Sequence, residues 1–308
     1  MKKNIKRKIF YVISIKPINL LLVFLLKIIK ILSMNSLSNF INRFPVVGTI
    51  KIKSNKNNFY MYSDGGDSIA SNLYWGGMNN YEPETMELFN VLLTECKYIF
   101  DIGANSGVFS LYCLSTNKNA KVYAFEPVPR NFEYLKKNKE INSYDNLFVY
   151  DIALTDFGGK VEFNIPKSIS LPLGGSIRND LEDTMKDSDK VEVKANTIDK
   201  FSKENDISSM DLLKIDTEGT EHKVLIGAIE SILKYEPIIV CEVLPKLTEN
   251  FLMEFFKDLK YRFYHITENG LVFKEKIVGD STFKYHNYLF ITDDKMQEYN
   301  DKLVIINK

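Results

Sequence analysis

A chain of 308 residues, 45% hydrophobic and 26% charged, has room for one large domain or two small ones and sits at globular averages, which excludes collagen-like, disordered and low-complexity classes. Its three cysteines, Cys96, Cys113 and Cys241, are far apart and odd in number, so neither a disulfide framework nor a CxxC metal site is expected, and a reducing cytoplasm is the simplest compartment. The net charge is zero, yet residues 1–63 carry twelve Lys or Arg and no acid, leaving 28 basic against 40 acidic side chains in the remainder. A basic arm on an acidic body directs the arm toward an anionic surface and makes the body a poor nucleic-acid binder.

In chain order, Ile9 to Leu32 is apolar but interrupted by Lys16, Pro17, Lys27 and Lys30, and its longest charge-free run, Pro17 to Leu26, has ten residues. A spanning helix needs about 20. Three readings stand: a helix lying on the anionic inner face of the cytoplasmic membrane through residues 1–34, a helix docked on its own body or a partner chain, and a cleaved signal or single span. The last is weakened because Lys30 to Arg43 offers no small-residue cleavage site.

The expected organisation is an arm over residues 1–40, a lead-in over 41–80 and a main domain over 81–308. The lead-in holds a hairpin between Val46 and Tyr74, with a Gly65-Gly66 turn. Pro83 opens a helix whose apolar face is Met86, Phe89, Leu92 and Leu93. Strands follow at Tyr98–Ile102, Lys121–Phe125 and Leu147–Leu154, alternating with helices at Ser106–Ser115 and Arg130–Lys139. Leu212–Ile215 and Ile238–Val243 are further buried strands around a helix from Glu221 to Leu233. This alternation predicts an α/β, doubly wound, Rossmann-like parallel sheet. A helix at Leu247–Leu259, strands Tyr261–Ile266 and Leu271–Glu275 around Asn269-Gly270, and a last strand Tyr288–Thr292 predict an antiparallel edge. Residues 156–210 break the rhythm: Lys160–Asn164 and Lys190–Lys194 read as a strand pair with a Gly174-Gly175-Ser176 loop between them. Ligands of open α/β sheets bind beyond the carboxyl ends of the strands, so this insertion can overhang the site.

The strongest motif is Asp101-Ile-Gly-Ala-Asn-Ser-Gly107, a strand-to-helix turn in which Gly103, Asn105, Ser106 and Gly107 bring backbone close to a ligand. It is G-x-N-x-G, not the G-x-G-x-x-G of a nicotinamide site, and Asp101 would repel a pyrophosphate while suiting an ammonium-bearing ligand. Glu126, ending the next strand before Pro127 and Pro129, can accept both hydroxyls of a ribose. Asp151-Ile-Ala153-Leu then stands where an adenine pocket would be lined.

These residues, with Leu213-Lys-Ile-Asp-Thr-Glu-Gly-Thr-Glu221, Tyr81-Glu-Pro-Glu-Thr85, Thr197-Ile-Asp199 and Asn287-Tyr-Leu-Phe290, resemble the FkbM family of S-adenosylmethionine-dependent O-methyltransferases over about three quarters of the chain. The resemblance implies a seven-stranded sheet with an antiparallel last strand, S-adenosylmethionine as cofactor, and a hydroxyl acceptor on a glycan or small molecule. It also implies that Glu82 reaches the amino-acid end of the cofactor; a helix-start carboxylate without that role is the alternative.

Asp216, at the end of the fourth strand, is the candidate to orient or deprotonate the acceptor, with Glu218, Glu242 and His222 as further catalytic candidates. Glu221 is divided between helix capping and function. No His spacing calls for zinc and no metal is assigned, although Asp216, Glu218 and Glu242 have the oxygen chemistry for magnesium. A nicotinamide oxidoreductase and a non-catalytic membrane scaffold are the rival functions.

Overall fold

The computed structural model describes residues 2–32, 41–42, 44–54, 56–166, 188–299 and 302–306. Two helices come first, α1 (Lys2–Ile13) and α2 (Lys16–Leu32), followed by an antiparallel hairpin of β1 (Val47–Ile52) and β2 (Phe59–Asp64). Next are α3 (Ser68–Gly76), capped by the Asp67 side chain, and α4 (Pro83–Leu92), opened by Pro83 as expected.

The central sheet contains, among the described residues, nine strands. Five are parallel neighbours in the order β5 (Leu147–Tyr150), β4 (Lys121–Phe125), β3 (Tyr98–Ile102), β9 (Leu212–Ile215) and β10 (Ile238–Glu242). β13 (Asn287–Thr292) then pairs antiparallel with β10 on one side and with β11 (Tyr261–Thr267) on the other. The expected antiparallel last strand is therefore present. Two short strands extend the expected seven: β12 (Gly270–Lys274), the hairpin partner of β11, and β14 (Ile305–Ile306) outside it.

Apolar side chains alternate between the two faces of these strands. Ile99, Leu212 and Val240 pack with α3, α4, α5 (Val108–Thr116) and part of α6 (Pro129–Asn142). Phe100, Leu213 and Cys241 face α7 (Ile198–Glu204), α8 (Glu221–Ile226), α9 (Ile229–Tyr235) and α10 (Glu249–Phe256). A final helix, α11 (Asp293–Gln297), follows β13.

Three expectations need correction. The third strand does not continue to Leu154: it breaks at Asp151, and β6 (Ile152–Leu154) pairs with β8 (Ser188–Asn196) in a separate sheet with β7 (Gly159–Pro166). The single helix from Glu221 to Leu233 is two helices. They part at Gly227, where a Cβ would lie 2.0 Å from the Thr155 carbonyl oxygen, and Asp199 accepts from the backbone N–H groups of Glu230 and Ser231 at the start of α9. The helix expected at Leu247–Leu259 is shorter, Glu249–Phe256. The strand pair of residues 156–210 is present as β7 and β8, whereas the Gly174-Gly175-Ser176 loop lies outside the described residues.

Candidate functional site

On the face covered by α4 and α5, each central strand is apolar until its last one or two inward positions, where it becomes ionisable. The sequence runs Ile99 then Asp101 in β3, Leu212, Lys214 and Asp216 along β9 and its exit, Ile238, Val240 and Glu242 in β10, and Ala124 then Glu126 at the end of β4. Register places these groups side by side. Asp101 is opposite Lys214, and Ile215 is opposite Cys241, which brings Asp216 next to Glu242 one step on. Glu242 is in turn opposite Asn287, which donates to Glu82 Oε2 at 2.9 Å and to Thr85 Oγ1 at 3.0 Å at the start of α4.

All of the ionisable groups, with Glu218, line one cavity. Around it three non-glycine residues, Glu82, Asn105 and Glu218, hold positive φ angles of 41°, 51° and 56°. Strained backbone of this kind persists only where surrounding contacts enforce it, and it concentrates at functional sites.

Gly103 is needed for a different reason from the one expected. At its φ of 82° an added Cβ would lie 1.8 Å from the Asp216 carbonyl oxygen, so the glycine makes room for the end of β9 and not for a ligand alone. Asn105 N donates to Glu126 Oε2, and Val128 N to Glu126 Oε1, both at 2.8 Å. Burial nevertheless pushes the Glu126 carboxyl up to about 7. Ser110 Oγ donates to Asp101 Oδ2 at 2.6 Å, and burial raises Asp101 despite Lys214 beside it.

Lys214 is the resident cation of the site, and the motif reading gave it no role. It is 4% exposed, and its Nζ lies 2.8 Å from Asp216 Oδ2. Burial alone would depress it, but Asp216 and Asp101 hold it well above its ordinary value. The detectable signal was a lysine within Leu212-Leu-Lys-Ile215, spaced by two from Asp216 and therefore on the same strand face. Glu82 and Glu218 are each pushed up to about 7, first by burial; Glu242 rises to about 10, by burial and then by Asp216, Glu221 and Glu218. At neutral pH Glu242 is thus a neutral acid beside an ion pair, with His286 Nδ1 3.8 Å from its Oε1.

Glu82, Asp101, Gly103, Asn105, Glu126, Pro127, Ala153, Asp216, Glu218 and Glu242 all line the cavity, as do Tyr81, Asn131 and Phe163, which sequence reasoning missed. Phe163 comes from β7, so the insertion does overhang the site. Four expected residues do not line it. Ser106 is buried behind the turn, and Gly107 caps α5 against Leu135. Asp151 is exposed and pairs with Lys194 at 3.2 Å, because the strand breaks there. His222 stacks on Phe251 of α10 at 4.4 Å. Glu221, divided between capping and function, accepts through Oε1 from Thr217 N, Thr217 Oγ1 and Gly219 N, and so shapes the loop that carries Glu218.

Four buried oxygens in the cavity walls, Asp101 Oδ1, Asn105 Oδ1, Asn131 Oδ1 and Glu242 Oε2, have no hydrogen-bond partner among the described residues. Buried acceptors left unsatisfied are costly, so these walls suit a ligand rich in N–H and O–H donors. Among the described residues no group of three or more His, Cys, Asp and Glu side chains is arranged to hold a metal ion.

The methyltransferase FkbM domain model matches residues 101–263. The chain belongs to the FkbM methyltransferase family. The chain is 27% identical over 145 residues to the 2-O-methyltransferase NoeI of Sinorhizobium fredii, covering 44% of this chain and 59% of that protein. It is 27% identical over 157 residues to the methyltransferase sdnD of Sordaria araneosa, covering 43% and 61% respectively. The match thus spans about three fifths of the length of these relatives. A crystal structure of methyltransferase FkbM from Methylobacillus flagellatus KT is 15% identical, with 64% of this chain and 43% of that chain covered at a TM-score of 0.41.

Proposed function

We propose that this FkbM protein transfers a methyl group from S-adenosylmethionine to a hydroxyl oxygen of a sugar, glycan or related small molecule. The observation that carries the reading is the row of ionisable residues on one sheet face at the strand ends, with acceptor oxygens of Asp101, Asn105 and Asn131 awaiting donors. The cofactor presents an ammonium, two ribose hydroxyls and an adenine amine, which are donors of the required kind. When bound, it supplies a methyl group activated by a sulfonium.

The chain's own residues divide the remaining tasks. Asp101 and Glu82 attract the ammonium, and Glu126, its two oxygens already oriented by backbone N–H groups, accepts the ribose hydroxyls. Asp216 is kept in place by Lys214 and faces the acceptor, whose hydroxyl proton it receives as the new C–O bond forms. Holding the two reactants in register can supply roughly 7–11 kcal/mol of the barrier reduction. Glu242, protonated, donates to an acceptor oxygen. The relative described as a 2-O-methyltransferase supports oxygen as the acceptor atom.

Peripheral contact of residues 1–34 with an anionic membrane, at its cytoplasmic face, completes the proposal. The basic, acid-free composition of that segment supports it, and no helix among the described residues is long and apolar enough to cross a membrane.

The test is incubation of the protein and methyl-labelled S-adenosylmethionine with glycan, lipid and small-metabolite fractions of a cell envelope. Label in an ether linkage to a sugar hydroxyl is expected. Label confined to protein or nucleic acid would overturn the acceptor class.

A further inference from the structure

The α1–α2 pair is docked on the body with its apolar side facing outward. Asn19, fully buried, donates through Nδ2 to the carbonyls of Ile13 and Pro45, both at 2.8 Å, and accepts from Val47 N at 2.9 Å, which ties the α1–α2 turn to β1. Val23 is buried one turn later. Lys27 Nζ lies 4.8 Å from the centre of the Tyr74 ring, and Lys30 donates to Asn42 Oδ1 at 2.9 Å and to the Trp75 carbonyl at 2.6 Å. Positions 19, 23, 27 and 30 form one helical stripe.

The other side of the pair carries Ile9, Tyr11, Leu21, Phe24, Leu25 and Ile28, all exposed, with Leu21 and Phe24 each 60% exposed. Twelve of the 21 exposed large apolar side chains among the described residues lie between Ile9 and Ile31. An amphipathic helix of a soluble domain does the reverse, burying its apolar stripe and sending lysines to water.

We infer that α1 and α2 form a fixed foot, in which Asn19 and Lys30 lock the pair to the body while the Leu21, Phe24, Leu25 and Ile28 stripe enters an anionic lipid surface. The inference rests on the peripheral contact proposed above and adds which side chains enter and that the foot does not detach. Charge selects the occupant: twelve basic residues and no acid before Asp64 suit acidic headgroups, whereas two arms packed on one another would bring like charges together. The foot also reports on itself. Trp75 is the sole tryptophan, 7% exposed, with its Nε1 bonded to the Phe44 carbonyl and its own carbonyl held by Lys30.

The experiment is co-sedimentation of the full chain with vesicles of phosphatidylcholine plus phosphatidylglycerol and of phosphatidylcholine alone, with acrylamide quenching of Trp75 in each state. Expected are binding to the anionic vesicles only, a loss of at least about tenfold in partitioning for the double variant Leu21→Glu/Phe24→Glu, and Trp75 as protected when bound as when free. Leu25→Glu/Ile28→Glu should behave alike, and circular dichroism of both variants should match the parent because all four positions are exposed. Failure of the parent chain to bind anionic vesicles would overturn the membrane reading as a whole. Normal binding by both double variants, or exposure of Trp75 on binding, would leave membrane contact standing and overturn the fixed foot. Loss of a dimer in the variants, without any vesicle binding by the parent, would assign the stripe to a second copy.

Discussion

The strand ends of the central sheet and the outward side of α1–α2 depart from ordinary burial in opposite senses. At the strand ends, Asp101, Lys214 and Glu126 are 0%, 4% and 4% exposed where apolar residues would cost nothing, while on α1–α2 Tyr11 is 74% exposed where a polar residue would. The two regions differ in what compensates. The buried charges compensate one another in part, through Lys214 and the register of adjacent strands, and leave four wall oxygens without a hydrogen-bond partner among the described residues. The exposed apolar stripe has no such compensation within the described residues, and the lipid surface inferred above would supply it.

Removing the internal compensation should have the largest effect. Lys214→Met leaves Asp101, Asp216 and Glu82 facing one another, and loss of one member of a buried pair costs about 3–5 kcal/mol. Urea unfolding at neutral pH should show a loss of that order, smaller near pH 5, where the carboxyls can take up protons instead. Equal loss at both pH values would mean that the lysine contributes packing and not charge.

Asp216→Asn keeps the shape and removes the charge. With the acceptor identified by the label experiment, single-turnover methyl transfer should fall by about 10²-fold or more while cofactor affinity stays within a few fold. Near-normal transfer would move the role to Glu218 or Glu242.

The same buried row makes stability depend on pH. Burial, and then Asp216, Glu221 and Glu218, push the Glu242 carboxyl from its ordinary 4.5 up to about 10 in the folded chain. Within that window the unfolded state binds fewer protons, so stability falls as pH rises, by up to about 1.4 kcal/mol per pH unit for this one group. Glu242→Gln should flatten the slope between neutral and alkaline pH and be the more stable protein at the alkaline end. An unchanged slope would show that Glu242 is ionised in the folded state.

A smaller effect belongs to the cofactor. Glu82, Glu126 and Glu218 stand at about 7, and a cationic ligand favours their ionised forms, so binding should release protons near neutrality. Calorimetry in buffers of different ionisation enthalpy should find affinity for S-adenosylmethionine rising several-fold between about pH 6 and pH 8. The demethylated product, which keeps the ammonium but lacks the sulfonium charge, should release fewer protons.

What the sequence made legible follows from how local each signal is. Asp101, Glu126 and Asp216 could be placed because strand period and chain direction alone put them at carboxyl ends on one face. Lys214 escaped because its electrostatic neighbours include Asp101, Tyr81 and Glu82, all from segments distant in sequence. Asp151 was misplaced for a similar reason: nothing between Leu147 and Leu154 announces that Ile152–Leu154 will leave the sheet to pair with β8. His222 follows the acidic motif directly, but its ring is taken up by Phe251 from α10. In the arm, composition showed basic and apolar residues together, whereas the side facing out was decided by Asn19 and Lys30, whose partners lie in β1 and α3.

If one cavity separates cofactor binding from acceptor chemistry, the two should fail independently. Titration calorimetry of S-adenosylmethionine and of NAD against the parent chain, Glu126→Ala and Asp216→Asn tests it most directly. The parent should bind S-adenosylmethionine and not NAD, Glu126→Ala should weaken this binding by about tenfold or more through loss of the ribose acceptor, and Asp216→Asn should stay within a few fold of the parent. Binding of NAD without S-adenosylmethionine, or an equal loss of affinity in the two variants, would contradict it.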